Sequence, residues 1–211
     1  MAHPDHDMLA AYAAGTASEG VSLLVAAHAT YCAACRAEVA RIEALSAALM
    51  RADDAEAVPP ALEAVLARLD DPAPPAAAPG AAFAPDPVLP RPVVEAAGAP
   101  LSQIRWRFVM PGVSRCDIAS ADDEQVSLLR VRPGCGVPAH THTGLEATLV
   151  LSGALDDRGA LFGPGDVTLA GAGDDHHPRA APGADCICLA VIAGGLRFTG
   201  RFGRALNIFA E

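Results

Sequence analysis

This sequence contains no lysine. All 15 of its basic residues are arginines, set against 25 acidic residues, for a formal net charge of −10. A chain so short of positive charge is a poor candidate for direct nucleic-acid binding, because neutralising phosphates needs a basic surface. It is better suited to meeting a basic protein face. Aromatic residues are scarce at 4%, while apolar residues make up 52%. The core must come mainly from Ala, Leu and Val, and the apolar content excludes a disordered chain. Long apolar runs are also missing. The longest, such as CLAVIAGGL from Cys188, is too short to span a bilayer, so no membrane association is expected. The opening MAHPDHDMLAAYAAGTASEG carries acidic residues where a secretory signal carries Lys or Arg, which points to a cytoplasmic location. Six cysteines in a cytoplasmic chain favour metal or redox chemistry over structural disulfides.

Proline is unevenly spread. The stretch from Pro72 to Pro92, PAPPAAAPGAAFAPDPVLPRP, holds 8 of the 18 prolines and reads as an extended, semi-rigid tether. It divides the chain into residues 1–71, a linker over 72–92, and residues 93–211. Few contacts along such a tether would leave each half to fold alone.

The first half has helical spacing. Asp5 or Asp7 caps a first helix that carries Leu9 and Tyr12 and ends near Gly15. Thr16-Ala17-Ser18-Glu19 resembles a capping box and starts a second helix ending near His28. A third follows Cys32, with Val39, Ile42, Leu45 and Leu49 in register. Pro59 and Pro60 start a fourth, with Leu62, Val65, Leu66 and Leu69 on one face, which serves either the bundle core or a partner. Eleven acidic residues face four arginines in this half. After the tether, VSLLRVRPG, EATLVLSGAL, DVTLAGAGD and CICLAVIAGG are β-rich runs separated by Gly and Pro turns, the pattern of an all-β barrel or sandwich.

Two clusters carry chemistry. In HATYCAACRAEVAR, His28, Cys32 and Cys35 follow H-x3-C-x2-C. A helix joint lets the three converge, and a helix N-terminus favours the metal-binding thiolate. A closed zinc site takes four ligands, and His3 and His6 are the candidates for the fourth. A redox CxxC would need a βαβ context, which this half does not show. In GCGVPAHTHTGLEATLVLSG, His140 and His142 point to one side of a strand. Glu146 returns on the next strand. Gly165-Asp166 makes a later turn, and His176 or His177 follows.

The segment LAAYAAGTASEGVSLLVAAHATYCAACRAEVA resembles the zinc-binding anti-sigma factors of the ChrR type, over about residues 1–71. The resemblance places the fourth zinc ligand on His3. The second half resembles a cupin: G-x5-H-x-H-x3-E-x6-G is filled from Gly134 to Gly153, and the later motif places the last ligand on His176, although its usual terminal Asn is absent. The implied fold is two domains, a small all-α zinc-binding helical bundle followed by an all-β cupin, a double-stranded β-helix or jelly-roll barrel. Zinc in the first half, and zinc, iron or manganese at His140, His142, Glu146 and His176, are the implied cofactors. The implied partner is an extracytoplasmic-function sigma factor in a 1:1 complex, released on an oxidative signal such as singlet oxygen or organic hydroperoxide. No catalytic residue is expected. The alternatives are a cupin dioxygenase with a zinc-folded interaction module, and a sensor that responds by losing zinc. Cys186 and Cys188 share a strand face and form either a redox-sensitive pair or small core hydrophobes. Cys116 and Cys135 read as structural and Trp106 as core.

Overall fold

A computed structural model describes residues 1–52, 61–68, 84–121 and 123–200. Helix α1 (His6–Ala13) is capped by the Asp5 carboxylate, which accepts from Met8 N–H at 2.7 Å. Helix α2 (Glu19–Tyr31) is capped by Ser18 rather than Thr16, whose hydroxyl bonds back to the Ala11 carbonyl. It runs on to Tyr31, one turn past the expected end at His28, because Cys32 N–H still reaches the His28 carbonyl at 3.1 Å. Helix α3 (Ala33–Ala52) buries Cys35 and Val39, but Leu45, Leu49 and Met50 stand exposed on its second half. Helix α4 (Leu62–Ala67) leaves Leu62 and Leu66 exposed, so these two do not serve the bundle core. Leu69 lies outside the described residues, and Val65 lies there in its side chain.

The tether ends earlier than its composition suggests. Arg91 and Pro92 belong to helix α5 (Arg91–Ala97), and Leu89, Val93 and Val94 are buried. Asp86 anchors this stretch: its carboxylate accepts from the N–H groups of Val88, Leu89 and Leu101, each at 2.8 Å. Those three donors outweigh burial and hold its pKa below the usual carboxylate range.

Among the described residues eleven strands follow: β1 (Arg107–Met110), β2 (Val113–Ala121), β3 (Glu124–Val131), β4 (His140–His142), β5 (Glu146–Ser152), β6 (Leu155–Asp157), β7 (Ala160–Phe162), β8 (Val167–Ala170), β9 (Arg179–Ala180), β10 (Cys186–Ala193) and β11 (Leu196–Phe198). An antiparallel sheet runs in the order β1-β2-β3-β10-β5-β8, with smaller sheets β11-β4 and β7-β6-β9. This is the cupin barrel. Its central strands β5 and β10 are almost wholly buried, with Leu149, Val150, Leu189 and Ala190 at zero exposure. Trp106 is partly buried against the main core, as expected.

The halves do not stand apart. Helix α2 packs on α5 and on the outer face of the sheet, so Leu24, Val25 and Ala27 share one core with Val126, Leu149, Leu189 and Val191. The expectation of a loosely coupled pair is therefore corrected. The apolar face of α2 suits a sheet as well as a helix, and helical spacing does not distinguish the two. Gly20 is what allows the approach. A Cβ there would lie 2.6 Å from Glu124 Oε2 and 2.7 Å from Val126 Cγ2. In its absence the Glu124 carboxylate accepts from Gly20 N–H at 2.8 Å and from the Ser18 hydroxyl at 2.5 Å, holding the positive end of α2 from the barrel.

Candidate metal centres

The N-terminal centre forms where α2 hands over to α3. His28 and Cys32 are four residues apart and fall on one face, and the Cys32 joint turns the chain so that Cys35 comes round beside them. Segment 1–4 brings His3 across. The ligand atoms of His3, His28, Cys32 and Cys35 all lie within 4.8 Å of one another. Cys35 Sγ is 3.3 Å from His28 Nε2 and 3.4 Å from His3 Nδ1, and Cys32 Sγ is 3.5 Å from His3 Nδ1. His6 is excluded: its exposed ring meets Glu38 at 3.2 Å.

The donor chemistry suits a soft or borderline cation. His28 Nδ1 lies 2.8 Å from the Gly165 carbonyl, which can only accept, so Nδ1 carries the proton and Nε2 presents its lone pair to the cluster. Burial pushes the His28 pKa down and keeps the ring neutral. The two thiols are pushed in opposite directions. Burial pushes Cys35 up to about 11, aided by Cys32 beside it. Burial also works against the Cys32 thiolate, but the Cys35 N–H at 3.3 Å and the Arg36 charge outweigh it and bring its pKa down. Two sulfurs and two imidazole nitrogens brought this close are the donor set of a structural zinc site.

The second centre sits inside the barrel. His140 and His142 project from β4, Glu146 from the start of β5, and His176 from the loop before β9, bridged to His140 by backbone bonds of 3.0 Å in both directions. All four are buried, and their ligand atoms again lie within 4.8 Å of one another. Glu146 Oε2 is 2.7 Å from His142 Nε2, 3.6 Å from His140 Nε2 and 3.7 Å from His176 Nε2, and the Nε2 atoms of His142 and His176 are 3.0 Å apart. His140 Nδ1 donates to the Pro138 carbonyl at 2.8 Å, and His176 Nδ1 faces the Asp157 carboxylate at 3.2 Å. With their protons held on Nδ1, the lone pairs of His140 and His176 meet a carboxylate in a dry pocket. A divalent cation would satisfy those lone pairs and the carboxylate together, and in its absence a proton on His176 pairs with Glu146. His177 is exposed and plays no part.

Asp157 escaped the sequence reading. It is buried, pairs with His176 and accepts from the Thr168 hydroxyl at 3.3 Å. Its only sequence signal is LDDRG, which reads as a turn. Burial lowers the His176 pKa, but Asp157 and Glu146 outweigh it and raise the ring to about 9 in the metal-free chain. A raised folded pKa stabilises the protein fully below the unfolded value near 6.5, and that contribution disappears as pH rises toward 9. Chelator-stripped protein should therefore lose melting temperature between about pH 6.5 and about pH 9, by several degrees. Metal-loaded protein should stay nearly flat there, and Asp157→Asn should shrink the loss in the stripped form. A stripped Asp157→Asn protein with the full wild-type slope would remove Asp157 from the account.

Cys186 and Cys188 do share a face, with their sulfurs 3.4 Å apart, but both are fully buried among Val113, Val131 and Val150. Cys116 and Cys135 are half-buried and free.

Residues 95–193 match the model of the ChrR cupin-like domain. The whole chain is similar to the anti-sigma-E factor ChrR of Cereibacter sphaeroides, 39% identical over 205 residues that cover 93% of this chain and 91% of that one. The chain belongs to the ChrR-type anti-sigma factors. Among solved structures it is similar to the ChrR chain of Rhodobacter sphaeroides crystallised in complex with SigE, with a TM-score of 0.77 and 37% identity, covering 91% of this chain and 98% of that one. Both halves of the ChrR-type architecture are thus present, the helical domain and the cupin. Anti-sigma factors are regulators that work by binding and not by turnover, although the cupin fold also serves enzymes. No described helix is long and apolar enough to cross a membrane.

Proposed function

We propose that this protein sequesters an extracytoplasmic-function sigma factor in the cytoplasm, in a 1:1 complex, and releases it on an oxidative signal. The observation that carries the reading is the near full-length correspondence with a ChrR chain held in complex with a sigma factor. Its own surface supports it. Leu45, Leu49 and Met50 on α3 and Leu62 and Leu66 on α4 expose apolar area, in a half whose sequence carries eleven acidic residues against four arginines. Together they suit a partner with apolar grooves and basic flanks. His3, His28, Cys32 and Cys35 would hold zinc, which supplies folding energy to a bundle with a small core. His140, His142, Glu146 and His176 would hold zinc, iron or manganese, as the sensing half. Singlet oxygen or an organic hydroperoxide would be the signal.

The enzyme alternative has less support. The hollow beside His176 is open and lined by Ala139, Gly159 and the charged or polar side chains of Asp156, Arg158, Asp175, His177 and Arg179, with none of the large aliphatic or aromatic side chains common in small-molecule sites. Co-expression with candidate sigma factors, followed by co-purification and metal analysis, tests the proposal. We expect one sigma chain and two metal ions per protein. Steady oxygen consumption that depends on Glu146, with no sigma factor retained, would favour the dioxygenase instead.

A further inference from the structure

The turn between β7 and β8 belongs to the barrel, yet it reaches the other metal centre. Gly165 has φ +90°, a conformation that favours glycine, and a Cβ there would lie 2.9 Å from Tyr31 Cβ at the end of α2. That close approach is what brings the Gly165 carbonyl to His28 Nδ1. The next residue acts on His3. Asp166 Oδ1 accepts from Ala2 N–H at 2.7 Å, while its Oδ2 accepts from Gly163 N–H at 2.8 Å and closes the turn. Val167 N–H donates to the Ala2 carbonyl at 3.0 Å. Ala2 is thus held on both sides, donor and acceptor, one residue before the ring that meets Cys32 and Cys35. His3 itself is exposed and lies outside any helix or strand. Without this anchor, nothing regular in the backbone fixes where its imidazole points.

We propose that Asp166 is a positioning residue for the N-terminal metal centre, so that the barrel sets the metal affinity of a site whose four ligands all lie outside it. The inference rests on the reading of His3, His28, Cys32 and Cys35 as metal ligands. It also joins the two centres. Strand β8, which begins beside Asp166, pairs along its length with β5, and its Ala170 stands opposite the barrel ligand Glu146. A shift of β8 is felt at both ends.

Cobalt(II) distinguishes the centres, because only the N-terminal one offers sulfur. The thiolate-to-cobalt charge-transfer absorption of the full-length protein, titrated against a competing chelator, reports that site alone. Asp166→Ala should weaken cobalt binding there by about 10- to 100-fold, the usual effect of removing a group that orients ligands. Ala2→Pro deletes the N–H that Asp166 receives without touching the barrel, and should weaken it in the same way. Glu124→Gln loosens α2 at its far end and should leave the affinity within about twofold. Two results would overturn the proposal while leaving the metal reading intact: wild-type affinity in both Asp166→Ala and Ala2→Pro, or an equal loss in Glu124→Gln, which would make the effect one of general docking. If wild-type protein takes up cobalt with no thiolate absorption, the metal reading falls, and the proposal with it.

Discussion

Cys35→Ser should abolish inhibition of the sigma factor, with a loss of at least 100-fold in binding. Cys35 is buried, and its sulfur approaches both imidazoles of the N-terminal centre. A serine hydroxyl is a far weaker zinc ligand than a thiolate, and three donors do not close a tetrahedral structural site. Structural zinc in small domains is worth roughly 10–16 kcal/mol of apparent binding energy, which is also folding energy. Losing much of it is comparable with the whole stability of an ordinary domain, about 5–15 kcal/mol. The barrel packed on α2 keeps that helix in place, so the expected product is a chain with a native barrel and docked α2 but disordered α1 and α3. Metal content and sigma pull-down measure this directly. A Cys35→Ser protein that holds sigma at wild-type affinity with an empty N-terminal centre would show that zinc is not structural.

The second large effect is expected at the barrel. Glu146→Gln should empty the cupin centre and leave a sigma-dependent reporter repressed under a singlet-oxygen generator, where the proposed function has the wild type respond. Glu146 is the one carboxylate among the four ligand residues, and burial alone would raise its pKa; the three histidines outweigh that and hold it well below the usual range. Gln keeps the shape but loses the charge that offsets a divalent ion in a dry pocket. The N-terminal ligands are untouched, so inhibition without stress should persist. Normal induction in Glu146→Gln, with the barrel metal shown to be absent, would leave the cupin centre without a sensing role.

Both metal sets were legible because ligands obey spacing. H-x3-C-x2-C brackets a helix joint, and H-x-H marks one strand face, so side-chain direction follows from the local period alone. The four runs read as strands became β3, β5, β8 and β10, whereas β1 and the nine-residue β2 were not read. The strands of two or three residues, β6, β7, β9 and β11, carry too few side chains to show a period, and only their partners define them. The choice of His3 over His6 was not a local matter. It depends on Asp166 and Val167, more than 160 residues away, taking hold of Ala2. Asp157 was hidden for a similar reason, since a carboxylate in a turn sequence gives no sign that the turn is buried against a histidine. The docking of α2 on the sheet went unread because proline content describes the stiffness of a tether and says nothing about what its ends pack on.

The placement of α2 also has a bearing on how the protein is made. Its apolar face, Leu24, Val25 and Ala27, is covered by strands whose residues come more than a hundred positions later in the chain. Ribosomes add about 5–20 residues per second, so this face waits on the order of ten seconds before its cover exists. During that interval the nascent helices have only each other, their metal ligands and whatever protein is nearby. An apolar helix face left uncovered for that long would be open to another partner before the barrel closes over it.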